Sequence, residues 1–428
     1  MKEVINIGLI GFGVVGSGAV QILTENRESI ERKVGSKMHI KRIADLDITT
    51  PRPVNIDKSV LTTDANEIIN DPDIDIVVET IGGVKPAKDF ILRSLENGKS
   101  VVTANKELIA KHGGDLLPRA AELGVDFMFE ASVGGGIPII RPMKVCLAGN
   151  EILEIKGIVN GTTNYILSRM HDEGLDFAEV LKDAQAKGYA EADPTADIEG
   201  HDAAYKISIL GSIGYTSRVD VTKVYREGIT KITAEDMKYA EELGYVVKLL
   251  AIAQQVDGNV LARVHPAFVP KSHPLANVNG VFNGIYVKAS AVGEVMFYGP
   301  GAGSLAAGSA VVGDVIDVAR NINFGANARI GCTCYESREM LSMDYVKGKN
   351  YIRILTEDKP RVLAAIATEF ANYDVSIESV LQKVKPDNKA EIVWVTHEAQ
   401  EPNVRKVLDA ISRLPIAASV ESWIRVEE

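Results

Sequence analysis

Short apolar runs alternate with amphipathic stretches along the first third of the chain. Short runs of this kind are typical of strands buried in a parallel sheet. They cover residues 4–10, 39–44, 74–79, 101–102 and 125–129. Because helical stretches and glycine turns separate them, they predict right-handed βαβ units and an α/β fold with a doubly wound parallel sheet.

The last part of the chain has a different pattern. Its predicted order is strand, helix, strand, strand, helix, strand, which is the ferredoxin-like βαββαβ arrangement. Three consecutive glycines at 134–136 and a weakly patterned linker at 347–350 mark further boundaries. We therefore expect a first domain at 1–136 that a helix at 304–321 completes, a mixed α/β domain at 137–303, a connecting segment at 322–349 and a ferredoxin-like domain at 350–428.

The composition narrows the class of protein. Of the 428 residues, 46% are hydrophobic and 25% charged, as in globular proteins. The net charge of −11 argues against duplex nucleic acid and anionic membranes as partners. No apolar run reaches the ~20 residues of a membrane span, and the N-terminus lacks the apolar core of a signal peptide. Since there are only three cysteines, Cys146, Cys332 and Cys334, we expect reduced thiols and a cytoplasmic location.

A glycine motif follows the first predicted strand and opens a helix, with the sequence Gly11-Phe12-Gly13-Val14-Val15-Gly16. In this context the glycines predict a Rossmann-type site for NAD or NADP. They permit a tight turn, a close approach of the backbone to the pyrophosphate and close packing of the helix. The pyrophosphate is expected at the positive end of that helix.

The preference between the two cofactors stays open. Asp45 ends the second predicted strand and is a candidate for the ribose hydroxyls of NAD. A solvated carboxylate at a strand end is an equal alternative. Arg42, Arg52 and Lys58 are candidates for the additional phosphate of NADP.

Residues 186–206 carry a dense acidic cluster, formed by Glu191, Asp193, Asp197, Glu199 and Asp202. Alone, such a cluster is typical of a solvated loop. Asp202 and Lys206, however, are four residues apart, so a helix places them on one face. The rest of that helix is too apolar for the surface, so Lys206 is expected to be buried. A buried lysine must be paired with an opposite charge or have a lowered pKa. Lys206 is therefore a candidate for proton transfer.

Two further segments are candidates for binding. Lys106 follows a strand at the edge where an open α/β sheet binds its ligands, which favours a position beside the nicotinamide over an exposed helix N-terminus. The segment 130–138 combines Glu130 with three glycines, and its oxygens suit a hard cation. From the sequence alone, a hinge between domains is the simpler interpretation of that segment.

At these residues the chain resembles the homoserine dehydrogenase family over essentially its full length. The residues in the order and spacing of the family signature are Gly188, Asp193, Pro194, Asp197, Gly200, Asp202 and Lys206. The resemblance implies the reversible, NAD(P)-dependent reduction of L-aspartate 4-semialdehyde to L-homoserine, in threonine, methionine and isoleucine synthesis. It also implies a middle domain for substrate binding and dimerisation, in a homodimer or a larger homo-oligomer.

The resemblance also implies roles for individual residues. Lys206 is similar to the family's proton donor, and Lys106 to a residue that positions the carbonyl oxygen. The implied substrate contacts are Glu191, Asp202, Asp197, Tyr189, Gly161 and Thr162. Besides the glycine motif and Asp45, the candidate cofactor contacts are Thr80, Thr103, Lys106, Gly188 and Gly303. A structural Na⁺ or K⁺ ion is implied at Glu130, Val133, Gly135 and Ile137.

The C-terminal domain resembles an ACT domain, a fold that often binds amino acids. The resemblance implies L-threonine as an effector. Arg361 stands at the first strand–helix turn, where the family usually has glycine. A dimerisation module without a ligand is therefore an equal alternative.

Rival functions have different requirements. Aspartate-semialdehyde and glyceraldehyde-phosphate dehydrogenases need a thiolate nucleophile at the start of a helix. Cys146 lies in an apolar, strand-like run and is predicted to be a core residue. A non-catalytic amino-acid sensor, or a dehydrogenase for another amino-acid aldehyde, is the remaining alternative, and the lysines and Asp202 argue against the sensor.

Overall fold

A computed structural model of the chain describes residues 1–416 and 418–427. The strands are β1 (Val4–Ile10), β2 (Lys37–Ala44), β3 (Leu61–Thr62), β4 (Ile76–Glu79), β5 (Ser100–Thr103), β6 (Phe127–Met128), β7 (Ile152–Ile158), β8 (Tyr225–Arg226), β9 (Tyr245–Val256), β10 (Asn259–Pro270), β11 (Phe282–Ala289), β12 (Gly293–Pro300), β13 (Lys347–Glu357), β14 (Ile377–Lys385), β15 (Lys389–Thr396), β16 (Ala399–Gln400) and β17 (Ser419–Val426). The helices are α1 (Val14–Glu25), α2 (Arg27–Val34), α3 (Asn66–Ile69), α4 (Ala87–Glu96), α5 (Lys106–Glu122), α6 (Gly161–Glu173), α7 (Phe177–Ala186), α8 (Thr195–Ile198), α9 (His201–Gly214), α10 (Ala234–Glu242), α11 (Ser304–Phe324), α12 (Val362–Asn372) and α13 (Glu401–Ile411).

The first sheet is parallel and doubly wound, as the alternating pattern predicts. Its strand order is β3-β2-β1-β4-β5-β6, and every pairing is parallel. The chain leaves β1 toward β2 on one side and later returns to β4 on the other side. In such sheets ligands bind at the carboxyl ends of the strands beside this reversal. The glycine motif after β1 lies at that position.

Helix α11 packs along α1 with very little space between the two backbones. A Cβ atom on Gly308 would lie 2.7 Å from the backbone nitrogen of Ala19. Apolar residues of α11, among them Val311 and Val315, are buried against the strands of the first sheet. A small residue at this position of α11 therefore allows α1, the helix of the glycine motif, to pack closely against α11.

We expect Gly308→Ala to destabilise the protein by about 1–3 kcal/mol, the usual cost of overpacking, and to lower the thermal unfolding midpoint. Gly313→Ala is the matched control, because it lies in the same helix and its added Cβ would meet nothing within 4 Å. That variant should be neutral or stabilised by up to about 1 kcal/mol. Equal midpoints in circular dichroism melts of the two variants would contradict the close approach of α1 and α11.

The second sheet is shared by the middle and C-terminal parts of the chain. Its order is β12-β11-β7-β9-β10-β17-β13-β15-β14. The last four strands have the ferredoxin-like order, and they join the others where β17 pairs in parallel with β10. Helix α9 packs against β9 and β10. The C-terminal strands thus extend the sheet against which the Asp202–Lys206 helix packs.

Buried ion pairs hold the C-terminal strands in place. Arg353 on β13 pairs with Asp236 on α10 at 3.0 Å and with Glu391 on β15 at 3.0 Å. Arg263 on β10 pairs with Glu427 at 2.7 Å. Because buried partners left unpaired are costly, these contacts fix how the C-terminal module docks.

Two predictions from the sequence are wrong. Residues 347–350 are not a linker but the first residues of β13, where Lys347 and Gly348 pair with β16 and the next two residues pair with β17. Their polar composition hides the strand, because ladder hydrogen bonds come from the backbone and do not depend on side-chain pattern. Cys146 is not a core residue, since it is exposed at the end of a helical turn that covers Pro142–Cys146. Within residues 1–416 and 418–427, no helix has the length and apolar character needed to cross a membrane.

Candidate functional site

The glycine motif forms a cradle between β1 and α1. Gly11 has a φ of +104°, and a Cβ atom there would lie 2.8 Å from the carbonyl carbon of Thr80. A Cβ on Gly16 would lie 2.0 Å from the Gly11 oxygen, whereas one on Gly13 would meet nothing within 4 Å. Gly13 is the N-cap residue of α1 and provides no side-chain cap. The cradle therefore leaves free space in front of a positive helix end, which fits a dinucleotide pyrophosphate.

Asp45 lies beside this cradle. Its carboxylate accepts hydrogen bonds from the backbone N–H of Phe12 and, at 2.8 Å, from that of Asp47. Arg52 and Lys58 line the adjoining cleft, and the Arg52 guanidinium lies 5.9 Å from the centre of the Phe12 ring. Arg42 is directed elsewhere, because it bonds the Ser59 carbonyl and pairs with Glu67 at 3.4 Å. Of the three basic candidates, the structure brings two to the cleft.

The ends of β4 and β5 are joined by a buried carboxyl group. Glu79 is fully buried and accepts a hydrogen bond from the Thr103 hydroxyl at 2.6 Å. Burial raises the pKa of Glu79, although that hydrogen bond and those from the following backbone N–H groups oppose the shift. Thr103 in turn accepts from the backbone N–H of Asn105, whose side chain caps α5 by accepting from Leu108. This chain of contacts fixes Lys106 as the first residue of α5.

Two lysines from different parts of the fold share one carboxylate. Lys206 Nζ lies 2.7 Å from Asp202 Oδ2, as their spacing on α9 predicts. The ammonium of Lys106 pairs with the other carboxylate oxygen. Lys206 also donates to the Val159 carbonyl at 2.6 Å. Asp202 and Lys206 are buried, whereas the Lys106 side chain is 43% exposed. Helix α5, which follows a strand of the first sheet, and helix α9, which packs against the second sheet, therefore meet at Asp202.

The pKa values of the two lysines move in opposite directions. Burial, together with the positive charge of Lys106, lowers the pKa of Lys206 although Asp202 opposes this shift. For Lys106, burial is outweighed by Asp202, Asp197 and Glu191, which raise its pKa. Burial would raise the pKa of Asp202, but the two lysines hold it well below its usual range. Groups whose pKa values are driven apart in this way can divide proton transfer and charge stabilisation between them.

Asn160 is a site residue that the sequence analysis missed. Its side-chain nitrogen donates to Asp202 at 2.8 Å and to Asp197 at 2.7 Å. Its side-chain oxygen accepts from Thr163 and caps α6. The available signal was an asparagine directly before a helical stretch, which is a typical N-cap. That signal predicts the cap but not the two carboxylates that the same amide binds.

The remaining substrate candidates lie at the start of α6 and in the segment after α7. The Thr162 hydroxyl donates to the Tyr189 carbonyl at 2.6 Å. Gly161 is close to Val281, since an added Cβ would lie 2.8 Å from its oxygen. Glu191 is exposed, and Gly188 has a φ of +74° in the turn after α7. The structure thus brings the turn after α7 against the start of α6.

The comparisons with known proteins match the whole chain. Three family models match in succession, namely "Homoserine dehydrogenase, NAD binding domain" over residues 11–130, "Homoserine dehydrogenase" over residues 138–316 and "ACT domain" over residues 350–416. The homoserine dehydrogenase of Synechocystis sp. is 45% identical over 436 residues, which cover 99% of both chains. That of Neisseria gonorrhoeae is 42% identical over 100% of this chain and 99% of its own.

The chain belongs to the homoserine dehydrogenase family. A crystal structure of a homoserine dehydrogenase from Thiobacillus denitrificans superimposes with a TM-score of 0.92 at 40% identity, covering 99% of this chain and 98% of the other. The interpretation of the sequence as an oxidoreductase that acts on the CH–OH group of homoserine is confirmed. The α/β fold with an NAD-binding domain and a C-terminal ACT domain is confirmed as well.

The candidate cation loop of this homoserine dehydrogenase is closed by Glu130. The Glu130 carboxylate accepts hydrogen bonds from the backbone N–H groups of Ile139, Ile140 and Arg141 at 2.6–2.8 Å. Gly135 has a φ of +55° and lies against Gly301. The carboxylate therefore clamps the loop that contains the candidate cation ligands Val133, Gly135 and Ile137.

Helix α11 brings the last cofactor candidate to the cradle. Gly303 has a φ of +122° and directly precedes α11. The Ser304 hydroxyl donates to the Val14 carbonyl at 2.8 Å. The start of α11 thus lies beside the first turn of the glycine-motif helix, although 290 positions separate Ser304 from Val14 along the chain.

Proposed function

We propose that this homoserine dehydrogenase interconverts L-aspartate 4-semialdehyde and L-homoserine with Lys206 as its proton donor and acceptor. The observation that carries the proposal is the carboxylate of Asp202 between Lys106 and Lys206, where the two sheets' helices meet. A nicotinamide supplies or removes the hydride when it is bound in the cradle. The remaining requirement is a proton at the substrate oxygen, which the chain itself must provide.

Lys206 suits that requirement in both directions. Since its pKa is lowered, it loses its proton more readily than an ordinary lysine and can accept one from the homoserine hydroxyl. In the reverse direction the charged form donates the proton to the oxygen that develops from the carbonyl. Its hydrogen bonds to Asp202 and to the Val159 carbonyl fix the position of Nζ.

Lys106 supports the same oxygen by its charge. Its raised pKa keeps it protonated, and its side chain is partly exposed to solvent. A fixed positive charge stabilises negative charge that develops on an oxygen in the transition state. Lys106 therefore positions and polarises the carbonyl, while Lys206 moves the proton.

The acidic residues around the lysines suit the substrate's ammonium group. Asp197 is held by Asn160, and Glu191 is exposed but close enough to raise the pKa of Lys106 by its charge. We place the ammonium group at these carboxylates, with Thr162, Tyr189 and Gly161 around the carbon chain. Gly188, Thr80 and Thr103 face the cofactor in this arrangement, together with the glycine motif and Gly303.

The cofactor preference depends on the cleft beside Asp45. Steady-state oxidation of L-homoserine, followed at the nicotinamide absorbance with NAD and with NADP, tests the proposed reaction directly. We expect Arg52→Ala to raise the KM for NADP by about 10–100-fold, the usual effect of losing a charge-assisted hydrogen bond. The KM for NAD should change by less than about threefold, because NAD has no phosphate there.

Arg42→Ala is the matched control, because Arg42 pairs with Glu67 and does not line the cleft. It should leave both KM values unchanged. Equal effects of Arg52→Ala on the two cofactors would remove Arg52 as the phosphate-binding residue. Absence of homoserine turnover with either cofactor in a folded protein would contradict the proposed reaction.

Three further properties are part of the proposal. A monovalent cation binds at the loop that Glu130 clamps, with Glu130, Val133, Gly135 and Ile137 as its ligands. The chain acts as a homodimer or larger homo-oligomer through its middle domain. L-Threonine acts at the ACT domain, where Arg361 has a φ of +78° and starts α12 in the backbone conformation that a glycine would adopt without strain.

A further inference from the structure

A pocket between α5, α9 and the segment after α11 contains a thiol pair that the proposed reaction does not use. Cys332 Sγ accepts a hydrogen bond from Arg218 Nη2 at 3.0 Å, and the backbone nitrogen of Cys334 lies 3.5 Å from the same sulfur. Lys144 lines the pocket and donates to the Gly331 carbonyl at 3.2 Å. Both cysteines are partly exposed to solvent. Two basic side chains and one backbone N–H thus lie around the Cys332 sulfur.

The two sulfur atoms have unlike environments. The hydrogen bonds from Cys334, with Arg218 and Lys144, lower the pKa of the Cys332 thiol to about 5 although burial opposes this shift. The pairing with Cys332, together with burial, raises the pKa of Cys334, whose Sγ lies 3.4 Å from the Ser212 carbonyl oxygen. At neutral pH the pair therefore consists of one thiolate and one thiol. The thiolate is the form of cysteine that oxidants attack.

The two cysteines are also within reach of each other. Residues two apart span at most ~7 Å between their Cα atoms, and disulfides join Cα atoms that are about 4.4–6.8 Å apart. Cys332 and Cys334 both line the same pocket. A disulfide between them needs only a local rearrangement of the irregular segment that precedes β13.

We propose that Cys332 and Cys334 form a peroxide-sensitive dithiol in which Cys332 reacts first and Cys334 resolves the product. The Cys332 thiolate attacks one oxygen of hydrogen peroxide, so that an S–O bond forms, the O–O bond breaks and hydroxide leaves as water after taking up a proton. The Cys334 thiol then attacks the sulfur of the sulfenic acid. An S–S bond forms, the S–O bond breaks and a second water leaves. The two thiols are oxidised and the peroxide is reduced by two electrons.

The contact with Arg218 indicates that the sulfur of Cys332 is reactive and not only partly buried. Arg218 Nη2 also donates to the Gly113 carbonyl of α5 at 2.9 Å, which holds the guanidinium against the pocket wall. Cys146, in contrast, is exposed at the end of a helical turn and is not among the residues that line this pocket. The chain therefore contains its own reference thiol, which is more accessible but lies outside the pocket.

The test exposes the native full-length enzyme to hydrogen peroxide, blocks the remaining thiols with N-ethylmaleimide and maps the peptides by mass spectrometry. We expect a peptide in which a disulfide joins Cys332 and Cys334 to form at least about tenfold faster than any oxidation product of Cys146. Dithiothreitol should reduce this disulfide back to the two thiols. Cys334→Ser should stop at a sulfenic acid on Cys332 that dimedone traps, and Cys332→Ser should form neither product. Arg218→Met, checked for folding by its homoserine turnover, should slow the reaction several-fold.

Either of two results would overturn the proposal. One is oxidation of Cys332 no faster than that of Cys146, which would mean that the cationic pocket does not activate the thiol. The other is oxidation of the unmodified chain to sulfenic or sulfinic acid without a disulfide, which would mean that Cys334 cannot resolve the product.

Discussion

Replacing Lys206 with methionine should lower kcat for homoserine oxidation by about 10²–10⁴-fold, which is the usual contribution of a positioned general acid or base. Methionine keeps the length and the apolar stem of lysine, so the apolar helix α9 retains its packing. Asp202 keeps Lys106 and Asn160 as partners, and the carboxylate is not left unpaired. The KM for homoserine should change far less than kcat, because the lost group acts on the proton that moves.

The pH dependence gives a second measurement of the same role. Oxidation needs neutral Lys206, so its rate should rise with pH through the lowered pKa of this residue, whereas reduction needs the charged form and should fall over the same range. Neither the rise of the oxidation rate nor the fall of the reduction rate with pH (the two pH limbs) should remain in Lys206→Met. Lys248→Met is the matched control, since Lys248 is another buried lysine with its pKa lowered to about 8, but its Nζ donates to the Val278 carbonyl and to Asn279. A fall in kcat of less than tenfold in Lys206→Met would contradict the proposed role.

Much of the fold can be predicted from the sequence because its main signals are local. The short apolar runs place β1, β2, β4 and β5 within a few residues, and the order of elements predicts the parallel sheet. The junction of β10 with β17 has no local signal, because backbone pairing between distant strands leaves no pattern in either strand. The first residues of β13 also lack a local strand signal, because they are polar and resemble a linker.

The site shows the same division between local and distant contacts. The spacing of Asp202 and Lys206 predicts their contact, because a helix repeats its face every three to four residues. The contact between Asp202 and Lys106 joins two helices from different sheets, and nothing near either residue in the sequence indicates it. Glu79 and Asn160 escaped notice because each looks ordinary in its own segment and gains its role from partners elsewhere.

Asp202 is the residue on which the two lysines depend most. Its carboxylate opposes the effect of burial on both lysines, so that the pKa of Lys106 is raised, whereas that of Lys206 stays lowered but would fall further without Asp202. Removing one partner of a buried ion pair costs about 3–5 kcal/mol, because a charge is left without compensation. Without the charge of Asp202, the ammonium groups of Lys106 and Lys206 would repel each other with no carboxylate between them. Lys206, which is the more buried of the two, can relieve the repulsion by losing its proton.

Asp202→Asn should therefore shift the pH limb of homoserine oxidation to lower pH by more than about one unit, because the pKa of Lys206 falls further once its attraction to the carboxylate is gone. At pH 7 reduction should lose about 10²–10³-fold in kcat/KM, since it needs the charged form of Lys206. Asparagine keeps the shape of the side chain, so the lost charge is the main change. Asp197→Asn is the control, because Asp197 bonds Asn160, forms no ion pair with either lysine and raises the pKa of Lys206 less than Asp202 does; it should raise the KM for homoserine and shift the pH limb far less than Asp202→Asn. An unshifted limb in Asp202→Asn would mean that Lys206 is not the group whose titration limits the reaction.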